Sequence, residues 1–240
     1  MRDVLLLSTS TVHGSRFLEY AEDDIRSFFP DGATVLFAPF ARPGGITHDS
    51  YTELVRTRFG EMGLGLAGLH EFADPVAAVN EAEGVFVGGG NTFVLLKALY
   101  EAGLLEPLRG RALAGMPYMG SSAGSNLAGL TIGTTNDMPV VEPASFRALA
   151  LVPFNINPHY LDPDPGSTHM GETRETRIGE FHRFNTQPVL GLREGAILRV
   201  KGNEARVLGS RGGRLFACQA DPVEVEPDGD VSFLLEGDLR

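Results

Sequence analysis

A Gly-x-Ser-x-Gly run from Gly120 to Gly124 centres on Ser122. A serine hydroxyl is a poor nucleophile until it is lifted off the chain and hydrogen-bonded to a base. Flanking glycines permit a sharp turn from strand to helix, and the positive end of that helix favours negative charge forming beside the hydroxyl. In another setting the same five residues are only a Gly/Ser-rich turn. Here residues 118–120 read as a strand and 123–130 as the start of an apolar helix, which is the setting catalysis needs.

A second glycine turn, Gly88-Gly89-Gly90-Asn91, follows the apolar run 84–87 and precedes a helix carrying Phe93, Leu95 and Leu96. Bare backbone N–H groups at a helix start suit an oxyanion or a phosphate. The spacing is not Gly-x-Gly-x-x-Gly and the turn follows the fourth strand rather than the first, which argues against a dinucleotide site.

Ser122 needs a base, and the chain has six histidines. His159, in Asn155-Ile156-Asn157-Pro158-His159-Tyr160, lies just beyond an expected strand at 150–154, and open α/β sheets gather catalytic groups at such carboxyl ends. His13, His48 and His70 fall in or beside loops and His182 in a polar helix, the settings of ordinary surface histidines. The group His159, Asp162, Asp164 and His169 contains two prolines at irregular spacing and reads as a polar loop, so no metal is expected. Two carboxylates compete to orient the imidazole. Asp137 sits in the turn-rich stretch Thr134-Thr135-Asn136-Asp137-Met138-Pro139, and Glu194 follows an expected strand at 189–192. Spacing alone leaves both open.

The elements that must position these groups alternate in type. Strands are expected at 4–7, 34–37, 64–69, 84–87 and 118–120, with helices at 16–29, 49–62, 76–82, 91–100 and 106–114. Asp74-Pro75 supplies an N-cap and a first-turn proline for the third helix. Short strands alternating with helices imply an α/β, doubly wound, mostly parallel sheet. Beyond about residue 195, apolar runs at 196–200, 205–208, 215–219, 223–225 and 231–235 read as an antiparallel meander closing one edge. Residues 1–240 therefore read as a single domain.

A chain of this length buries roughly 70–75% of its unfolded surface, so its stability requires neither metal nor disulfide. Cys218, the one cysteine, excludes an intramolecular disulfide framework and reads as a small core hydrophobe. With 20 basic and 31 acidic side chains, a net charge of −11 and lysine only at Lys97 and Lys201, the composition argues against a nucleic-acid partner. No apolar run approaches the roughly 18 residues of a membrane span, and the first is too short for a signal-peptide core. A cytoplasmic protein without nucleic-acid or membrane partners is the expectation.

Taken in order, the motifs resemble those of the peptidase E family, the aspartyl dipeptidases of serine peptidase family S51. The likeness is carried by Leu5-Leu6-Leu7-Ser8, Asp74-Pro75-Val76-Ala77-Ala78, Val87-Gly88-Gly89-Gly90-Asn91-Thr92-Phe93, Ser122-Ala123-Gly124, the Thr134–Pro139 stretch, Ile156-Asn157-Pro158-His159 and Gly171-Glu172-Thr173-Arg174-Glu175. The resemblance implies a class I glutamine amidotransferase-like fold and acyl transfer without a cofactor. Ser122 would be the nucleophile and His159 the base, with N–H groups of Gly89, Gly90 and Ala123 holding the oxyanion. The order serine, histidine, glutamate favours Glu194 as the partner of His159 and leaves Asp137 as a support or an alternative orienter. The implied substrate is a short peptide with an N-terminal aspartate. Arg174 would meet its side-chain carboxylate and Glu172 its ammonium, with Asn91 a further contact; a homodimer is compatible with the resemblance.

Ser121 stands where enterobacterial members carry tryptophan, which implies more room beside the nucleophile and makes a broader peptidase, acting on longer or non-Asp peptides, the alternative. A reading of another class is a non-catalytic module holding phosphate or a small molecule on its glycine turns. A glutamine amidotransferase would need cysteine at position 122.

Overall fold

Val4, Leu5, Leu6 and Leu7 are all fully buried. Alternate side chains of a strand point to opposite faces, and here Val4 and Leu6 join one apolar core while Leu5 and Leu7 join another. Both faces of this first strand, β1 (Asp3–Leu7), must therefore be covered, as they are in a parallel α/β sheet. The computed structural model describes residues 1–164, 166, 168 and 170–237.

After β1 come α1 (Glu22–Phe28), β2 (Thr34–Ala38), α2 (His48–Glu61), β3 (Gly65–Gly68), α3 (Pro75–Glu81), β4 (Val85–Val87), α4 (Thr92–Glu101), α5 (Leu105–Ala114), β5 (Tyr118–Ser121) and the one-turn α6 (Ala123–Asn126). The second half holds β6 (Asn155–Tyr160), α7 (Arg174–Phe181), β7 (Val189–Arg193), β8 (Ala196–Lys201), β9 (Glu204–Gly209), β10 (Gly213–Phe216), β11 (Val223–Val225) and β12 (Gly229–Asp230). Helix starts follow local chemistry: Asp74 accepts from Ala77 N–H at 2.9 Å ahead of Pro75, and Thr47 and Thr173 cap α2 and α7 in the same way.

The main sheet has the order β12-β9-β8-β1-β5-β4-β2-β3. Its β1-β5-β4-β2-β3 half is parallel, and β8, β9 and β12 extend it antiparallel beside β1. A second sheet, β11-β10-β7-β6, pairs β6 and β7 in parallel and buries Tyr160, Val189 and Phe216 with Ile178 of α7. No helix among the described residues is long and apolar enough to cross a membrane.

The α/β class and antiparallel edge follow the sequence reading, and four local differences have physical causes. The helix expected from residue 16 begins only at Glu22, because Leu18 takes a left-handed φ of 56° and its N–H bonds to Ser10 O at 2.7 Å. The helix expected over 123–130 stops at Asn126: the carbonyls of residues 127–130 receive the N–H groups of Leu149, Leu151, Ala150 and Ala148. Those bonds hold 148–151 as irregular chain, so the strand expected at 150–154 starts at Asn155 instead. At the C-terminal end, β10 and β11 join the second sheet rather than the main edge, and residues 232–236 form a 3-10 turn. Cys218 is half-buried rather than in the core, its thiol 3.6 Å from His182 O.

Candidate active site

Ser122 stands between β5 and α6 with φ 53° and ψ −109°, a conformation a non-glycine residue holds at a cost of about 1–3 kcal/mol. The surroundings over-determine it. Ser122 N–H donates to Leu7 O at 3.0 Å, and Ser125 Oγ donates to the same carbonyl at 2.7 Å. Tyr118 Oη donates to Gly124 O at 2.8 Å. Gly124 allows α6 to lie directly on β4, since a Cβ there would fall 2.1 Å from Val87 O.

From this elbow a chain of hydrogen bonds leads outward. Ser122 Oγ lies 2.9 Å from His159 Nε2, and His159 Nδ1 lies 2.7 Å from Glu194 Oε1. His159 sits at a register shift between β6 and β7 with φ 54°, so the bulge turns one residue of the strand toward the serine. Its N–H donates to Ser8 Oγ at 2.9 Å, and Ser8 Oγ donates to Leu192 O at 2.7 Å. Glu194 follows β7 directly and its side chain is 54% exposed.

Asp137 lies elsewhere. Its Oδ2 accepts from Thr92 N–H at 2.7 Å, Thr92 Oγ1 at 2.6 Å and Thr135 Oγ1 at 3.1 Å, so it ties the 134–139 stretch to the start of α4. Of the two acids left open by spacing, Glu194 is the one bonded to His159. Asn91 is the N-cap of the same helix: its Oδ1 accepts from Phe93 and Val94 N–H, and its Nδ2 donates to Met138 O at 2.9 Å. Its oxygen thus caps the helix, and one hydrogen of its Nδ2 ties the turn to Met138.

The glycine turn passes beside the elbow. At Gly90 (φ 151°) a Cβ would lie 2.2 Å from Ala41 O, so only glycine fits where the turn crosses the loop after β2. Gly89 N–H donates inward to Tyr51 Oη at 3.2 Å, so it is spent on the core and corrected as an oxyanion donor. The N–H groups of Gly90 and Ala123 make no hydrogen bond within the described residues.

A cavity of about 710 Å³ opens beside His159 and Glu194, with Asn136, Asp137, Arg174 and Arg211 in its wall. Arg174, the first residue of α7, makes no ion pair among the described residues. Burial disfavours its charge, as does neighbouring Arg177, and Asp137 offsets part of this. Asn136, Arg174 and Arg177 also line a polar recess of about 40 Å³ next to the cavity. Glu172 lies exposed outside the cavity wall, 3.6 Å from Arg177 Nε. Ser121 is completely buried and absent from the wall, so a smaller residue there does not enlarge this cavity.

Asp162 is bound by Arg193 at 2.6 Å, Asp164 accepts from Gly166 N–H, and His169 lies outside the described residues. Burial, with Glu175 and Asp162 adding to it, pushes the Tyr160 phenol up to about 12, so it stays neutral in the wall. The sequence reading missed Ser8 and Tyr51. Ser8 ends an apolar central strand with a small hydroxyl, a faint signal; Tyr51 lies inside a helix and has no local signal.

A strand–helix serine bonded to a histidine that is bonded in turn to a carboxylate is the arrangement by which serine hydrolases activate a hydroxyl. Residues 4–208 match peptidase family S51. Peptidase E of Streptomyces coelicolor is 53% identical, the alignment covering 98% of this chain and 95% of that one. The probable alpha-aspartyl dipeptidase of Drosophila melanogaster is 51% identical over 98% of each. Among solved structures, a peptidase from an acI-B1 Actinobacterium shares the fold at a TM-score of 0.72 and 15% identity, covering 97% of each chain. The chain belongs to peptidase family S51, and it is a peptidase.

Proposed function

We propose that residues 1–240 act as one serine dipeptidase domain that releases an N-terminal aspartate from short peptides. The observation that carries the specificity is Arg174, a guanidinium without an acidic partner among the described residues, beside the cavity that His159 borders. Arg174 is half-buried, so part of its hydration is lost and an anion that meets it there is favoured. The recess of about 40 Å³ next to Arg174 and Arg177 has room for a carboxylate group on a short stem, which favours aspartate over glutamate. The name of the Drosophila melanogaster relative, a probable alpha-aspartyl dipeptidase, points to the same substrate. The α-ammonium goes to Asp137, whose Oδ1 accepts no hydrogen bond within the described residues.

The chemistry then follows from the bonded chain. His159 Nε2 takes the Ser122 proton as Oγ attacks the peptide carbonyl, and Glu194 stabilises the imidazolium. Gly90 and Ala123 N–H groups receive the oxyanion; losing one such donor costs on the order of 10²–10³ in turnover. The C–N bond breaks as His159 returns the proton to the departing amine. Water, deprotonated by His159, cleaves the acyl-enzyme and frees the aspartate.

The test is hydrolysis of Asp-Leu, Glu-Leu, Leu-Leu and a longer Asp-initiated peptide, with Ser122→Ala as control. Cleavage of Asp-Leu alone, lost in the control, is the expected result. Cleavage of longer or non-Asp peptides moves the protein to a broader peptidase. Arg174→Ala is expected to abolish the preference for Asp over Leu; retained preference sinks the assignment.

A further inference from the structure

The glycine turn from Gly88 to Asn91 carries four consecutive backbone N–H groups, and three of them are taken. Gly88 N–H donates to Ala38 O at 3.1 Å and Asn91 N–H to Ala41 O at 2.7 Å, both bonds to the backbone of β2 and the loop after it. Gly89 N–H donates to Tyr51 Oη at 3.2 Å, the one bond of the three made to a side chain. Gly90 N–H alone has no partner among the described residues. The turn is pressed against the nucleophile, since a Cβ on Gly89 would fall 3.0 Å from Ser122 Cβ and 3.1 Å from Ser121 O. The ring of Tyr51 is fully buried and fixed from two sides. Phe37 meets it edge-on at 5.0 Å, and Arg42 places its guanidinium 4.7 Å from the ring centre. Phenylalanine would satisfy this apolar core, which Tyr51 shares with Phe37, Phe59 and Phe86. A buried hydroxyl costs free energy unless it is bonded, and the bond it makes among the described residues is the one to the turn.

We infer that Tyr51 is a positioning residue for the oxyanion site, its hydroxyl holding Gly89 N–H inward so that Gly90 N–H is the donor left for the substrate carbonyl. A peptide unit is planar, so fixing one N–H fixes the whole unit. Tyr51 pins the unit between Gly88 and Gly89, and Ala41 O pins the unit between Gly90 and Asn91. The unit between Gly89 and Gly90, which carries the free N–H, lies between these two. Three adjacent glycines would otherwise let the turn sample many orientations. A donor already in place stabilises the developing charge without reorganising during the reaction. Burial pushes the Tyr51 phenol up, against the pull of Arg42, so the hydroxyl keeps its proton and its oxygen accepts from Gly89.

This role rests on the acyl-enzyme chemistry proposed above, though not on which N-terminal residue is preferred. The probe is therefore the boronic acid analogue of the N-terminal residue of the best-cleaved dipeptide, aspartate on that reading. Ser122 Oγ adds to the trigonal boron, His159 takes the hydroxyl proton, and the anionic tetrahedral adduct puts an oxygen where the oxyanion forms. The free amino acid forms no such adduct and reports ordinary binding. Tyr51→Phe should weaken the boronic acid at least about tenfold and the amino acid by less than about twofold, with kcat falling at least about tenfold and KM nearly unchanged. Arg42→Gln frees one face of the ring at a half-buried position, so it should act in the same direction by a smaller factor. It decides the matter if Tyr51→Phe does not fold. Phe59→Leu loosens the same core about two turns further along α2, and should lower the melting temperature without changing the ratio of the two affinities. Unchanged boronic acid affinity in the deciding variant, or equal weakening of both ligands, overturns the positioning role. So does a Phe59→Leu effect on the ratio as large as that of Tyr51→Phe, because loosening the core would then suffice. A boronic acid that binds the unsubstituted protein no tighter than the amino acid removes the oxyanion site itself, and the acyl-enzyme reading with it.

Discussion

The hydroxyl of Ser8 links the backbone of His159 to the strand that carries Glu194. It accepts from His159 N–H at 2.9 Å and donates to Leu192 O at 2.7 Å, fully buried. One small side chain at the end of the central strand thus registers the second sheet, with two members of the bonded chain, against the first sheet, which carries Ser122. Ser8→Ala strips both bonds and leaves buried polar groups without partners, at a cost of about 1–3 kcal/mol. Displacement of His159 should lower kcat by about 10- to 100-fold, since small misplacements at a reacting centre are expensive. KM should hardly change. Steady-state kinetics beside urea denaturation check both; a stability loss with unchanged kcat refutes the positioning role.

Glu194 and Asp137 should fail in different ways. Glu194→Gln keeps the shape but removes the charge that stabilises the imidazolium, so kcat should fall on the order of 10²-fold. The loss is smaller than for a buried acid because this side chain is 54% exposed and water competes. Asp137→Asn weakens the tie to Thr92 and the contact proposed for the ammonium, so its loss should appear mainly in KM, with about 1 kcal/mol of stability. Equal kcat losses in the two variants would contradict this division.

Strain at the elbow gives a comparison of two inactive variants. Ser122→Ala and Ser122→Gly both remove the nucleophile, but only glycine accepts φ 53° without cost. Relief of about 1–3 kcal/mol exceeds the entropy cost of glycine, about 0.5–1 kcal/mol. Ser122→Gly should therefore melt at the higher temperature of the two in a thermal scan.

Acid stability should respond to the ion pairs beside the cavity. The hydrogen bond from Arg193 holds the Asp162 carboxyl below its ordinary value of 3.8, against the opposing effect of its partial burial. A depressed carboxyl contributes stability that is present above about pH 4 and lost as the pH falls through the folded-state value. Asp162→Asn should start less stable at neutral pH and lose less on acidification. The difference should be small, since the Asp162 side chain is 44% exposed. Denaturant midpoints from pH 6 down to about pH 2 test it; parallel curves would reject the assignment.

What the sequence determined by itself was local. The apolar run at 4–7, the Asp74-Pro75 cap and the Gly120–Gly124 run fix their own geometry over a few residues, so the strand, the helix start and the elbow were legible. Ser122, His159 and Glu194 were legible as candidates, because glycine spacing and strand ends mark such positions. Only the tertiary structure decided between Glu194 and Asp137: one follows an apolar strand and the other sits in a polar turn, both plausible settings, and which one reaches His159 depends on β7 pairing with β6. The same holds for Gly89, whose N–H is consumed by a tyrosine 38 residues away in sequence. It holds too for Asn91, a helix cap in the folded chain, and for β10 and β11, whose apolar alternation suits either sheet. Hydrogen bonds and strand pairings between distant segments leave little mark on local sequence, since any small polar or apolar residue at the right place in space can make them.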